Sequence, residues 1–428
     1  MGTATDVGQT ATGPANPPRR LGWPVMLAYW LAQFAAWLAL LTPVIITIAI
    51  QVSRIAGPGA KEEWLGTILG VGAAAAMLSA PIWGAISDRT TARIGRRKLW
   101  IMVGAAALGL GLAIMGVARG PWLFGLGWLV CQIGSNAAQA ALNAVMSDIV
   151  PEQQRGLMSA LLGGSMTAAM VVGVFITQYT DQSSLAMFII PWLLSPVAVA
   201  AFLWIVPDAP AQIAPGSRLS LLAIIRSIGV SALQHRDFAW AFSSRFLVLF
   251  GAAFSMTYQV YYLTDYLHVP ARDVAHFMVL STSLMGLVTF AISCVGGWFS
   301  DRVGRRKPFV GGAALVMACG LIAMAMAQDF PQFLIAAGLT SVGQGLYYAV
   351  DIALCVEVLP DRDDAARDMA VLQIANSLPQ SLAPAVAPLL LGVAVGGLAG
   401  GNYPALFIFA AAMALLGAVA ILPIRTVR

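Results

Sequence analysis

Long apolar runs, each broken by a short charged or turn-rich stretch, repeat along the chain from Trp23 to Pro423. A helix needs roughly 20 predominantly apolar residues to cross the hydrocarbon core of a bilayer, because it rises only about 1.5 Å per residue. The pattern predicts twelve such helices. The first six cover 23–51, 64–86, 99–118, 121–147, 157–178 and 185–206. The second six cover 238–264, 274–299, 309–327, 330–357, 368–396 and 402–424. A 31-residue polar connection, 207–237, is the one long internal break and reads as a central cytoplasmic loop. It divides an N-terminal bundle (23–206) from a C-terminal bundle (238–428). Residues 1–22 are rich in Gly, Pro and Thr and are predicted as a disordered cytoplasmic tail without the apolar segment and cleavage site of a secretory signal.

Hydrophobic residues make up 59% of the chain and charged residues 10%, against about 25% charged in soluble domains. This excludes the ordinary soluble classes and predicts a multi-pass protein of the plasma (inner) membrane. The formal net charge is +5, but its placement argues for topology and against a nucleic-acid partner. With the N-terminus inside, all but four of the 24 Lys and Arg fall in cytoplasmic loops, tails or inner helix ends. The exceptions are Arg54, Lys61, Arg119 and Arg272. Such a bias follows the positive-inside rule and places both termini in the cytoplasm. Cys131, Cys294, Cys319 and Cys355 all lie within apolar segments and read as small core residues. Three histidines, with no C-x-x-C or H-E-x-x-H, give no metal centre, and no nucleophile–base arrangement marks an enzyme.

The two halves echo each other. "GAISDR" (84–89) after the second helix answers "GWFSDR" (297–302) after the eighth. "SDIVPEQQRG" after the fourth answers "VEVLPDRDDAARD" after the tenth, matching Asp148 with Glu357 and Pro151 with Pro360. A parallel 6+6 repeat with matched charged loops is the organisation of a two-bundle transporter.

The phrase G-x-x-x-D-R-x-G-R-[KR] occurs twice. The first copy is Gly84, Asp88, Arg89, Gly95, Arg96 and Arg97, expanded by "TTAR" (90–93), and the second is Gly297, Asp301, Arg302, Gly304, Arg305 and Arg306. On these residues the chain resembles the major facilitator superfamily. With the expanded first copy, "QFAAWLALLTP", "TDYL" and "IANSLPQ", it resembles the glycoside–pentoside–hexuronide and sucrose–proton symporter branch over nearly all of 23–424. The resemblance implies an all-α membrane protein: twelve transmembrane helices in two six-helix bundles, with N- and C-termini cytoplasmic. It further implies a small-molecule solute and a lipid bilayer as partners, function as a monomer, and no cofactor beyond a coupling proton. It makes the two signature copies, with Asp148, Glu152, Arg155 and Glu357, a cytoplasmic gate. In that gate Asp88 should sit near the positive N-terminal end of the eleventh helix, and Arg89 should pair with Asp148 or Glu152.

Three departures shape the expectation. Where sucrose carriers have an aspartate and an arginine in the fourth helix, this chain has Gln132 and Asn143, both neutral. The second helix has no carboxylate between Trp64 and Asp88, which argues against a melibiose-carrier sodium site, and the fifth lacks the G-P-x-x-x-G-G pattern of drug–proton antiporters.

Hydrocarbon offers no hydrogen-bond partners, so side-chain amides tend to face a bundle interior. Gln132, Asn136, Gln139 and Asn143 recur at helical spacing on one face. Gln344, Tyr348 and Asp351 do the same in the tenth helix, and Gln373, Asn376 and Gln380 in the eleventh. Tyr258 and Tyr262 in the seventh and Gln33, beside Trp30 and Trp37, in the first complete the candidate solute-binding set. Amides can serve the hydroxyls of a sugar while aromatic rings stack on its apolar faces; equally, such amides glue helices together. Asp351 lies nine residues before Pro360, about 13 Å along a helix. A carboxylate that deep usually marks function, and burial favours its neutral form, so it is the candidate proton-coupling residue. A purely structural carboxylate is the competing reading, whereas Asp148, Glu357 and Arg245 read as inter-helix ion pairs.

The expected function is alternating-access transport of a small polar solute, a sugar or glycoside, by proton symport. A drug or metabolite exporter and a non-transporting membrane sensor are the alternatives.

Overall fold

The computed structural model describes residues 20–57, 59–208, 210, 235–303, 306–358, 365–392 and 401–424. They are all-helical. Joining segments that continue across a short break gives α1 (Trp23–Ile55), α2 (Lys61–Asp88), α3 (Lys98–Val117), α4 (Pro121–Ile149), α5 (Glu152–Thr180) and α6 (Ser184–Ile205) in the first half. The second half holds α7 (Arg236–Thr257, continued by Gln259–Tyr261 and a π-helical turn Tyr262–Tyr266), α8 (Val274–Val303), α9 (Lys307–Met326), α10 (Phe330–Glu357), α11 (Ala365–Leu391) and α12 (Tyr403–Ala420). Over the described residues, ten of them are long and apolar enough to cross a membrane on length and composition alone, where the sequence pattern predicts twelve. The two outside that group are α4, which carries the amide stripe, and α11, which carries Pro379, Pro384 and Pro388.

Breaks follow from local chemistry. Pro43 has no backbone N–H to give the preceding turn, and α1 widens into a π-helical turn over Pro43–Thr47 before resuming at Ile48. Pro191 precedes the break of α6 at Leu193. In α7, Tyr258 leaves helical geometry at φ −105° and ψ 10°.

Each half repeats one packing scheme. α3 packs on α4, α2 on α4, α1 on α5 and α3 on α6; α9–α10, α8–α10, α7–α11 and α9–α12 are the corresponding pairs. The closest seams use small residues, which let backbones approach. A Cβ on Gly104 would lie 2.6 Å from the Gly134 carbonyl oxygen, and one on Gly343 would lie 2.5 Å from the Met317 nitrogen. The halves meet through α2 on α11 and α5 on α8.

Outward surfaces suit lipid. Leu78, Leu110, Leu287, Ile335 and Leu389 are exposed, and Trp23, Trp122, Trp204 and Trp298 are exposed near helix ends, where aromatic rings favour the membrane–water boundary. Cys131 is buried as expected, but Cys294 and Cys319 are exposed on α8 and α9 rather than in a core.

The loops with the signature motif share one end of the molecule. The Leu21 N–H donates to Gln154 Oε1 (2.7 Å), and the Arg97 and Lys98 N–H groups donate to Asp208 Oδ2 (2.8 and 2.9 Å). Lys307 Nζ bonds the Ile424 carbonyl at the matching place in the second half. We refer to this as the charged end, and to the other as the far end.

Candidate functional site

At the charged end, the signature loop is folded around one guanidinium. Arg97 Nε donates to Asp148 Oδ2 (2.8 Å), Nη1 donates to Asp88 Oδ1 (2.6 Å) and to Ser87 Oγ (3.0 Å), and Arg96 Nη2 reaches Asp148 Oδ1 (2.9 Å). The Arg97 side chain is only 6% exposed. Burial alone would lower its pKa, but hydrogen bonds and charge attraction from Asp148 and Asp88 outweigh this and hold it above the ordinary value. Gly95 of the motif stands at φ +117°, and a Cβ there would lie 2.2 Å from Asp208 Oδ2. Only glycine accepts that conformation without strain.

Asp148 is shared by Arg96 and Arg97, and Asp88 closes its own loop through Arg97 while remaining 60% exposed; the expected neighbours, the Glu152 side chain for Arg89 and the side chains at the start of α11 for Asp88, lie outside the described residues. Arg155 Nε donates to the Val150 carbonyl (3.3 Å), and Arg302 lies over the Trp298 ring at 5.5 Å. Arg306 lies just ahead of α9, and Gly297 faces Ala349 of α10. Gly304, Arg305 and the side chains of Glu152, Asp301, Glu357 and Gln373 lie outside the described residues. Asp148→Asn removes the carboxylate shared by two guanidinium groups, one of them buried. The expected loss is about 1.5–3 kcal/mol, the range for hydrogen bonds to charged groups, seen as a lower thermal midpoint in detergent; an unchanged midpoint would show that the loop is held otherwise.

In the middle of the molecule the polar stripes divide into two classes. Gln33 Nε2 donates to Gln139 Oε1 (2.9 Å); both side chains are buried, and a cavity of about 20 Å³ lies beside Gln139, Ser135 and Ser195. This pair joins α1 to α4 inside the first half. Tyr262 is also fully buried: its hydroxyl donates to the Met324 carbonyl (2.7 Å) within a cluster of Tyr266, Phe333, Tyr403 and Phe407. Of these three expected solute contacts, Tyr262 is occupied in packing, while Gln33 and Gln139 spend one end of each amide on the other and leave Gln33 Oε1 and Gln139 Nε2 buried without a hydrogen-bond partner.

The rest of the amides are accessible. Gln132 and Asn136 are half-buried, with Asn136 Nδ2 donating to the Gln132 carbonyl (2.8 Å), and Asn143 is exposed. On α10, Gln344 Nε2 donates to the Tyr348 hydroxyl (3.0 Å), and Tyr348 is 44% exposed. On α11, Asn376 is half-buried and Gln380 exposed. On α1, Trp30 and Phe34 stack with centroids 5.2 Å apart, and Trp30 Nε1 donates to the Leu161 carbonyl of α5 (3.1 Å).

Asp351 is buried and ion-paired with Arg245 of α7, while its Oδ1 accepts from the Tyr347 hydroxyl (2.9 Å). Arg245 thus makes the interhelical pair expected of it, and its partner is the candidate coupling residue itself.

At the far end, the two halves are bolted together by residues the sequence reading left unassigned. Lys61 Nζ of α2 meets Asp265 Oδ1 at 2.6 Å, and the Tyr403 hydroxyl of α12 donates to Asp265 Oδ2 (3.0 Å). Lys61 also lies 5.0 Å from the centre of the Tyr261 ring, whose hydroxyl donates to the Ala49 carbonyl of α1 (3.1 Å). The π-helical turn Tyr262–Tyr266 is what carries Asp265 to this position. Tyr258, another expected solute contact, is buried here instead and donates to the Pro384 carbonyl of α11 (3.1 Å), beneath the place where Gly66 of α2 abuts the same carbonyl. Toward the charged end the same helices separate: no described atom lies within 4 Å of a Cβ built on Gly84 of α2, or on Gly156, Gly163 and Gly164 of α5. Among the described residues, the halves are joined at the far end, and these four glycines stand before open space toward the charged end.

Comparison with known proteins agrees with this architecture. The D-xylose–proton symporter structure superposes with a TM-score of 0.69 at 16% identity, covering 95% of this chain and 98% of that one. The inner membrane transport protein YajR of Escherichia coli (strain K12) is 30% identical over 200 residues, 46% of this chain and 40% of that protein. Sucrose transport protein SUC4 of Arabidopsis thaliana is 25% identical over 156 residues, 33% of this chain and 28% of that protein. These alignments span less than half the length of either relative. The sequence model of the Major Facilitator Superfamily matches residues 25–282 and 241–428, nearly the whole chain. The chain belongs to the Major Facilitator Superfamily.

Proposed function

We propose that the protein is a secondary transporter that moves a small hydroxylated solute, a sugar or glycoside, through alternating access coupled to protons, with the charged end facing the cytoplasm. One observation supports the reading: among the described residues the halves are joined at the far end and glycines face open space toward the charged end, and α4, α10 and α11 carry amides that are not fully buried. Gln132, Asn136, Asn143, Gln344, Asn376 and Gln380 offer both donors and acceptors, as hydroxyl recognition requires. Tyr348 and the Trp30–Phe34 stack offer apolar faces for a sugar ring. Similarity to a sucrose transport protein and to a D-xylose–proton symporter supports the solute class.

Asp351 supports proton coupling because its carboxylate has two competing partners, Arg245 and a proton. Protonation would release Arg245, and an interhelical contact between α7 and α10 would change with it. Accumulation of radiolabelled sugars in proteoliposomes under an imposed pH gradient tests the whole reading. Accumulation abolished by a protonophore is the expected result; none with any mono- or disaccharide, or accumulation indifferent to the protonophore, would sink it. A finer test separates the two amide classes. Asn143→Ala should weaken solute affinity about tenfold, a value within the 1–3 kcal/mol cost of an unpaired polar group, while leaving thermal stability unchanged. Gln139→Ala should do the reverse, because it orphans buried Gln33.

An exporter of apolar solutes is the second reading. The exposed aromatic face of Tyr348 and the Trp30–Phe34 stack favour it, and a resistance profile of a deletion strain separates the two.

A further inference from the structure

A cavity of about 560 Å³ opens at the far end of the first half, away from the amides, where the last turn of α1, the end of α3 and the start of α6 come together. Arg54 and Arg119 line it with Gln51, Ser184, Ile55 and Val117, and no acidic side chain is among its lining residues. Basic residues are scarce at this end, as the positive-inside rule requires, so each needs a reason to be there. Lys61 has Asp265 at 2.6 Å and Arg272 has Asp273 at 3.5 Å. Among the described residues, no carboxylate is in salt-bridge contact with Arg54 or Arg119. The far end's two arginines without a carboxylate among the described residues therefore line one concavity, an arrangement complementary in charge to an anion.

The remaining walls are built to the same sign. Ser184 Oγ donates to Gln51 Oε1 (2.8 Å), which leaves the amide NH2 group of buried Gln51 as the end not used in that bond. Ser184 also opens α6, whose first N–H groups carry partial positive charge. Arginine presents a planar fork of donors matched to phosphate oxygens. Val117 and Leu185, both exposed and apolar, adjoin the cavity on the outer surface.

We propose that this cavity binds a phosphate-bearing anion, with Arg54 and Arg119 as its charge partners. The chemistry is that of a phosphodiester headgroup or of free phosphate; the adjoining apolar surface suits the acyl chain of an anionic lipid. The site is separate from the solute path and stands whether or not the transport reading holds.

The test uses the full chain in lipid nanodiscs and in detergent, as wild type, Arg54→Gln, Arg119→Gln, both together, and the Arg54→Lys/Arg119→Lys pair. Native mass spectrometry compares retained phosphatidylglycerol with retained phosphatidylcholine, and thermal shift is read against inorganic phosphate. The wild type should retain phosphatidylglycerol preferentially. Each Gln substitution should weaken that retention about fivefold and the pair about 25-fold, with the Lys pair keeping most of it. A phosphate-dependent thermal shift lost in the double Gln variant, without lipid preference, keeps the anion site and assigns it to the free anion. No lipid preference and no phosphate effect in the wild type would overturn the proposal, as would a preference unchanged in the double Gln variant. Both arginines are exposed, and the single and Lys variants keep the comparison valid should the double variant fold poorly.

Discussion

Asp351→Asn is expected to lower stability by about 3–5 kcal/mol, the cost of removing one partner from a buried ion pair. Membership of such a pair makes the carboxylate structural as well as chemical: Asp351 is buried, Arg245 is 12% exposed, and Tyr347 completes the group. A loss of that size is a large share of the 5–15 kcal/mol typical of a folded protein, so the single variant should show a sharply lower thermal midpoint in detergent. Arg245→Gln combined with Asp351→Asn removes both charges and should recover most of the midpoint. Transport then separates the two roles. If Asp351 also carries the proton, the double variant should fold and exchange solute across the membrane yet fail to accumulate it against a gradient. Full gradient-driven accumulation by the double variant would confine Asp351 to structure. A wild-type midpoint in the single variant would show that the ion pair does not hold α7 to α10.

Gly66→Ala should shift the protein away from the arrangement seen here by a factor of about 5–150, the equivalent of 1–3 kcal/mol of overpacking. A Cβ at residue 66 would lie 2.3 Å from the Pro384 carbonyl oxygen and 3.0 Å from Pro388 Cγ, across the seam between α2 and α11. A carbonyl in the backbone of a helix cannot step aside as a flexible side-chain tip does. The penalty falls on the state with the far end shut and is absent once the halves separate there, which is the condition for a population shift. Spin labels at Glu63 and Arg272, both exposed at the far end on opposite halves, should report a new population at longer distance. An unaltered distance distribution with an unaltered midpoint would show that Gly66 is not part of the seal.

Much of the architecture was legible in the apolar runs: helix limits agree with the predicted spans to within a few residues except at breaks. Pro43 and Tyr258 bend the chain where hydropathy sees an unbroken run. The candidate site was legible only as faces. A spacing of three and four residues says that Gln132, Asn136, Gln139 and Asn143 share one side of α4, but not which neighbouring helix covers each part of it. Gln139 meets Gln33, 106 positions away, and is occupied by it; Asn143, one turn further on, stays exposed. Tyr262 sits past the break of α7, which turns it into the aromatic core of the second half. Lys61 and Asp265 are 204 positions apart, and no periodicity within one helix can pair them. A hint was present in "TDYL", a single acid among aromatic and apolar residues at a predicted helix end.

Gly84 stands before open space near the charged end of α2, while Gly66, five turns earlier on the same helix, is pressed against the opposite half. A side chain grown at 84 would meet nothing now and would be met only when the charged end shuts. Such a substitution should therefore leave solute binding from the charged side intact and act on the return stroke alone, making a reversible carrier run more slowly in one direction of its cycle than in the other before any bound solute is involved.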